Sequence, residues 1–150
     1  MEIKQINLTK MTDELNRLVR YARECSWQGT GAYFAECLED TEYRNIENVV
    51  AAYDEQKIIG FGALVSESCI ENTSFSPWLD FLYVEDRYRN NGIAKAMAES
   101  LFREAQSDGV EKLYLCTVSH ERMYEKLGFV TLYKTFINQR DECFVMEKML

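Results

Sequence analysis

A chain of 150 residues, 47% apolar and 13% aromatic, can fold as one domain around one core, and a single proline with seven glycines argues against disorder. The formal net charge is −8 with no block of Lys or Arg, which excludes nucleic acid as an expected partner, because phosphate binding calls for a basic surface. No run approaches the roughly 18 to 20 apolar residues of a membrane span, so no membrane partner is expected either.

The stretch EIKQINL, residues 2–8, alternates and reads as a short first strand. Between Met11 and Cys25, Leu15, Leu18, Val19 and Ala22 recur at helical spacing, with Thr12 or Asp13 as N-cap. After a flexible WQGTGA segment, residues 32–38 form a second short helix. ENVVAAY and KIIGFGALVS are strands joined by the polar turn Asp54-Glu55-Gln56, and Ile59, Phe61, Ala63 and Val65 share one face of the second. WLDFLYV, residues 78–84, is the third strand of this meander. Ile93, Met97, Leu101 and Ala105 then repeat every four residues, with Ala94 and Ala98 beside them, giving an amphipathic helix stopped at Ser107-Asp108-Gly109. KLYLCTV is a strand. SHERMYEKL is a short helix with Ser119 as N-cap, Glu121 in its first turn and Gly128 at its stop. FVTLYKTFI and ECFVMEKML close the chain as a hairpin around residues 138–140.

The order is β-α-α-β-β-β-α-β-α-β-β. Hairpins imply antiparallel neighbours, and the strand–helix–strand unit over residues 78–118 implies one parallel crossover. The expected fold class is α+β, a mixed, mostly antiparallel sheet flanked by helices, in a single domain over 1–150.

Five cysteines, Cys25, Cys37, Cys69, Cys116 and Cys143, are scattered with no CxxC pair, and His120 is the only histidine, so no metal site is expected. The odd count argues against a disulfide framework, and the cysteines read as small hydrophobes in a reducing cytosol. The N-terminal MEIKQINLTK has no apolar signal-peptide core. The expected location is cytoplasmic.

One junction stands out. Arg89-Asn90-Asn91-Gly92-Ile93-Ala94 joins a strand to a helix and is followed by Lys95, which with Arg87 brings positive charge to an acidic chain. The first turn of a helix offers backbone N–H groups without intrahelical partners and a positive dipole, and a phosphate fits there. Gly92 and Ala94 permit close approach. On spacing alone the segment reads equally as an anion site or as a polar helix entrance with an Asn cap. It is neither GxxxxGK[ST] nor GxGxxG.

Two motifs together resemble one family. Arg89-x-x-Gly92-x-Ala94, after FLYVEDRY, is similar to the coenzyme A motif of the GNAT superfamily, the Gcn5-related N-acetyltransferases, whose pattern is Gln/Arg-x-x-Gly-x-Gly/Ala. MYEKLGF, residues 123–129, resembles that superfamily's Tyr-Glu-Lys-Leu-Gly-Phe segment. The element order agrees along essentially the whole chain. The resemblance implies acetyl-CoA as donor co-substrate. It implies that Arg89, Asn90, Asn91, Gly92, Ile93, Ala94 and Lys95 hold the pyrophosphate through loop and helix-start amides. It implies that the pantetheine arm pairs with the strand at Leu82, Tyr83 and Val84. A bulge would splay that strand from the next, around residues 115–117, and a backbone N–H near Val84 would meet the oxyanion.

Acetyl transfer to an amine needs a proton acceptor for the ammonium, a stabilised oxyanion and a proton for the departing thiolate. The resemblance places Tyr124 beside the sulfur, as acid or as sulfur orienter; without it Tyr124 is one of nine tyrosines covering the sheet. Asp80 interrupts an apolar run and by alternation shares a face with Leu82 and Val84, which makes it a candidate base; a solvated carboxylate at a strand start is the other reading. Glu85, Glu36 and bulk water are further bases. His120, four residues before Tyr124, reads as a helix-entrance residue. Many relatives carry Asn seven residues and Ala four residues before the tyrosine, where this chain has Thr117 and His120, so Thr117 or Ser119 replaces the usual pantetheine contact. The family's acceptor pocket maps to Trp27, Gly29, Gly31, Tyr33, Phe34 and Glu36, with Tyr133 and Phe136 of the last hairpin. Aromatics with carboxylates suit a cationic amine. The acceptor is a primary amine of a small molecule or a peptide. Many relatives are homodimers, which sets the expectation for assembly. A non-catalytic acyl-CoA-binding module on the same fold is the alternative reading.

Overall fold

The computed structural model describes residues 1–9, 12–40 and 45–150. Strand β1 (Glu2–Gln5) is followed by helices α1 (Asp13–Glu24) and α2 (Gln28–Glu39), then by strands β2 (Ile46–Asp54), β3 (Lys57–Val65) and β4 (Trp78–Val84). Helix α3 (Ile93–Ser107), strand β5 (Lys112–Thr117), helix α4 (Glu121–Lys126) and strands β6 (Val130–Ile137) and β7 (Asp141–Met149) complete the chain. The order is the expected one, with a 3₁₀ turn added at Asp86–Tyr88. The seven strands form one sheet, β1-β2-β3-β4-β5-β7-β6, in which only β4 and β5 run parallel. The result is the mixed α+β sheet with helices on both faces.

Local chemistry explains the boundaries. Thr12 caps α1, its hydroxyl accepting the Leu15 N–H at 3.2 Å. A start at Met11 lies outside the described residues. Helix α3 ends in a Schellman motif: the Val110 N–H reaches the Ala105 carbonyl and the Gly109 N–H reaches that of Gln106. At the last hairpin Asn138 and Gln139 both have positive φ, as a tight primed turn requires. Helix α4 differs from expectation: its N-cap is His120, with no side-chain cap, and Ser119 instead shares a hydrogen bond with His120 Nδ1 at 3.2 Å.

Helix α2 begins four residues before Ala32, inside the segment that reads as flexible from its glycines. The reason is packing. A Cβ on Gly31 would stand 2.2 Å from the Ala22 carbonyl oxygen and 2.7 Å from Cys25 Sγ, so the glycine lets α2 cross α1 at close range.

Two hydrophobic cores lie on opposite faces of the sheet. One, under α1 and α2, holds Phe34, Phe61, Ala63, Val65, Trp78, Phe81 and Tyr83; the other, under α3, holds Ile59, Leu64, Leu79, Val84, Met97 and Leu101. Strict alternation puts Ile59 with Phe61, but the pairing slips between Ala52↔Gly60 and Tyr53↔Ile58, and the extra residue turns Ile59 to the α3 side. A second slip is larger in consequence. Phe61 pairs with Tyr83 and Ala63 with Asp80, so β4 carries one residue more than β3 at Phe81, whose φ is 57°. Asp80 therefore faces the α1/α2 side with its partner Ala63. It does not share the face of Leu82 and Val84, which alternation across an unbroken strand predicts.

Gly31→Ala should lower stability by about 1–3 kcal/mol in urea denaturation, because the new methyl meets backbone. Helix propensity alone favours Ala by up to ~1 kcal/mol, so a rise in the midpoint would show that the close crossing is not a constraint.

Candidate active site

Strands β4 and β5 pair at a single register position, Trp78↔Tyr114, reinforced by the Tyr114 N–H on the Pro77 carbonyl at 3.1 Å. Beyond it they part. The edge of β4 that faces β5, including Leu82, Tyr83 and Val84, thus runs without a ladder partner, while its other edge stays on β3 as far as Glu85, whose N–H donates to Ile59 at 2.9 Å. An unpaired strand edge beside a packed core calls for hydrogen bonds from something else.

The slot leads to the N-terminus of α3. Arg89 folds back so that its Nε donates to the Val84 carbonyl at 2.8 Å and its guanidinium pairs with Asp86 at 3.0 Å. Asn91 Nδ2 donates to the carbonyls of Tyr88 and Arg89, both at 3.0 Å. These two side chains build the loop. Asn90 and Gly92 take positive φ, 63° and 76°, to aim it. No side chain caps α3, and a Cβ on Gly92 would meet nothing within 4 Å. The first-turn N–H groups of Ile93, Ala94 and Lys95 are left for a ligand. Ile93 is buried and anchors the turn, whereas Lys95 is exposed, with Glu99 3.9 Å away. A phosphate group fits this open, uncapped helix start, and a ligand with amides fits the unpaired strand edge. The two features lie end to end, which matches the pyrophosphate and pantetheine of coenzyme A.

Thr117 ends β5 and is buried; its Oγ1 accepts the His120 N–H at 3.1 Å, and its hydroxyl hydrogen is left to donate. Tyr124 is half-buried, edge-on to Phe129 at 6.1 Å. Its phenol is pushed up to about 12, first by burial, then by the carboxylate of Asp80 and by Cys116. Asp80 is itself raised above the usual carboxylate range by burial, against which the Phe81 N–H donating at 2.8 Å works only in part. Tyr124, on α4, and Asp80, on β4, are thus within electrostatic reach of each other.

On the α1/α2 side, the expected acceptor residues separate into two groups. Trp27 stacks on Tyr83 at 6.0 Å, beside a cavity of about 490 Å³ where Tyr21 and Tyr83 meet the carboxylates of Glu24, Glu85 and Asp86, with Arg87 at the rim. Tyr21 donates to Glu85 at 2.9 Å, and Ser26 shares a hydrogen bond with the Tyr83 hydroxyl at 2.9 Å. Further along α2, Tyr33 lies 6.0 Å from Phe81, and Tyr33 and the Cys37 thiol both sit in the field of Asp80 and of exposed Glu36. Phe34 and Gly31 do not line the pocket: Phe34 is fully buried between Phe61 and Phe81, 4.8 and 4.7 Å away, and Gly31 packs on α1. Tyr133 and Phe136 stand exposed on the edge strand β6. Sequence reasoning missed Tyr21, Glu24 and Ser26. Tyr21, next to buried Ala22 near the end of an amphipathic helix, was the available signal.

A family model for the acetyltransferase (GNAT) family matches residues 10–129. The chain belongs to that family. It is 28% identical over 100 residues to the spermine/spermidine N(1)-acetyltransferase of Bacillus subtilis (strain 168), covering 62% of this chain and 66% of that protein, just under two thirds of its length. The structure of the aminoglycoside 6'-N-acetyltransferase from Enterococcus faecium superposes with a TM-score of 0.76 at 20% identity, over 99% of this chain and 97% of that one. An aminoglycoside 6'-N-acetyltransferase complexed with coenzyme A gives a TM-score of 0.73 at 20% identity, over 99% and 97%. Likeness at that identity shows the fold.

The raised pKa of Asp80 has a consequence for stability. The folded state favours the protonated carboxyl, so the associated stabilisation is complete at acid pH and is lost as pH rises through the folded value. Asp80→Asn, which retains an acceptor for the Phe81 N–H, should be more stable than the wild type at neutral pH. The difference should shrink as pH falls through the carboxylate range. A pH series of urea midpoints measures this, and a pH-independent difference would remove the burial argument.

Proposed function

We propose that this protein transfers the acetyl group of acetyl-CoA directly to a primary amine of a small cationic acceptor. The observation that carries the reading is the split of β4 from β5 running into an uncapped helix start: an amide-pairing edge continuous with an anion site. Acetyl-CoA supplies the acetyl group as a thioester. The first-turn amides of α3 and the loop hold its pyrophosphate, and the edge at Leu82, Tyr83 and Val84 holds its pantetheine, with Thr117 donating from β5.

Asp80 accepts the proton of the incoming ammonium. Its raised pKa makes it a better base near neutral pH than an ordinary carboxylate. Tyr124 donates its O–H toward the departing sulfur. A phenol held near 12 stays protonated until it is needed. Once Asp80 has taken a proton its negative charge is gone, and with it part of what holds the Tyr124 phenol up, so the acid strengthens as the amine attacks.

The cavity of Glu24, Glu85, Asp86 and the aromatic rings, together with the net charge of −8, supports an acceptor that carries more than one cationic group. The relatives above act, by name, on spermine and spermidine and on aminoglycosides, which are compounds of that kind.

Thermal-shift titration should show stabilisation by acetyl-CoA and coenzyme A and none by ATP; saturation at one hundred times Kd corresponds to about 2.7 kcal/mol. Gly92→Glu should abolish the shift, whereas Gly92→Asn, which tolerates the left-handed backbone without adding charge, should retain it. Equal affinity in the Glu variant would sink the loop assignment.

Tyr124→Phe should keep the shift but lower turnover on spermidine, followed as acetylated product, by about 10²-fold. Unchanged turnover removes Tyr124 as acid. Coenzyme binding without acetylation of any amine would favour a binding module on this fold.

A further inference from the structure

Cys116 lies on β5 two residues past Tyr114, where β5 has left β4, and its Sγ stands 3.5 Å from Sγ of Cys69. Cys69 comes from the connection between β3 and β4 and is exposed; Cys25 and Cys143 are buried, and Cys37 is half-buried. The connection is fastened on both sides of Cys69. Ser66 Oγ donates to the Asn45 carbonyl at 3.2 Å, Ser76 Oγ donates to the Ser66 carbonyl at 3.0 Å, and the Phe75 ring lies flat on Tyr114 at 4.3 Å and 3°. Ile70 and Phe75 pack against the core under α1 and α2. Two thiols 47 residues apart in sequence are therefore held together by structure around them. Nothing in the acetyl-transfer chemistry uses them.

We infer that Cys69 and Cys116 form a redox-active dithiol site, oxidised by low-molecular-weight disulfides, whose closure obstructs the acceptor side of the slot. The Cys69 thiolate attacks one sulfur of the disulfide RSSR. That S–S bond breaks, and one RS⁻ leaves and is protonated. Cys116 then attacks Cys69 Sγ in the mixed disulfide, loses its proton, and displaces the second RSH. Two protein thiols and one RSSR become one protein disulfide and two RSH, so electrons and protons balance.

The environment assigns the order of attack. Either sulfur can donate across the 3.5 Å contact, and the neighbouring S–H stabilises whichever thiolate forms first. Cys69 is the exposed partner and Cys116 is half-buried behind it, so Cys69 is the sulfur a disulfide from solvent meets first. Closing the gap to a bond of about 2.05 Å moves the sulfurs by roughly 1.5 Å. Cys116 shares a register position with Val145, whose side chain belongs to the core on the α1/α2 side. The movement thus draws the β3–β4 connection onto β5 on the face where Asp80 lies; the Asp80 carboxylate acts electrostatically on both thiols, and Cys116 acts on Tyr124.

The effect on turnover rests on the proposed acetyl transfer; the bond itself does not. The full chain is equilibrated with mixtures of oxidised and reduced glutathione, alkylated and mapped by peptide mass. The expected product is a Cys69–Cys116 cross-linked peptide that disappears with dithiothreitol. Cys116→Ser should leave a glutathione adduct at Cys69, and Cys69→Ser should leave none at Cys116. Five alkylated cysteines at the most oxidising ratio, or a cross-link to Cys143 instead, would overturn the dithiol. Chromatographic assay of acetylspermidine should show the oxidised wild type slowed by at least about tenfold, as expected for an ångström-scale displacement at a reacting site. Dithiothreitol should restore the rate, and Cys69→Ser should be indifferent to oxidant. Full activity of the cross-linked form would overturn the obstruction. If no amine is acetylated by the reduced protein, acetyl transfer is what fails, and the cross-link alone decides the dithiol.

Discussion

Phe81 holds a backbone φ of 57°, which for an aromatic residue costs on the order of 1–3 kcal/mol. Its ring is fixed by stacking on Phe34 at 4.7 Å, and Phe34 in turn stacks on Phe61 at 4.8 Å. That packing keeps one extra residue in β4 opposite β3. A bulge bends the strand that carries it and increases its twist. Pairing with β5 survives at Trp78 alone, and the slot opens from there. The donor site, the orientation of Asp80 and the reach of Tyr124 all follow from this one local departure from ladder geometry.

The bulge also couples two titrating groups that the sequence separates. Asp80 sits where β4 is still paired, on the face away from Leu82. Tyr124 comes from α4, beyond β5. Burial raises both the carboxylate and the phenol, and the carboxylate raises the phenol further.

The side opposite α3 is shaped by the helix pair. Gly31 lets α2 cross α1 closely, so Trp27 reaches Tyr83 while Tyr33 reaches Phe81. Helix α2 thereby runs along β4 and spreads the proposed acceptor residues from the Glu85 end to the Asp80 end. Glu24, Glu85 and Asp86 concentrate negative charge at one end of this path, and Asp80 lies at the other.

The sequence by itself determined the element order, a cap at Thr12 or Asp13, the stop of α3 at Gly109, the apolar stripe of α3 and the two motifs, one at the loop before α3 and one on α4, because these depend on residues close together in the chain. It misassigned what depends on parity. Ile59 and Asp80 each lie beyond a bulge, and a single inserted residue reverses every later face of a strand without leaving a periodic signal. It read Gly31 as flexibility, because a glycine required by a neighbouring helix looks like any other glycine. It assigned the loop's amides to the pyrophosphate through the resemblance, but that the Arg89 and Asn91 side chains hold the loop itself is visible only in the fold. Tyr21, Glu24, Cys69 and Cys116 carried no motif at all. Their roles exist only after strands and helices far apart in sequence have been brought together, and contacts of that kind are decided by tertiary packing.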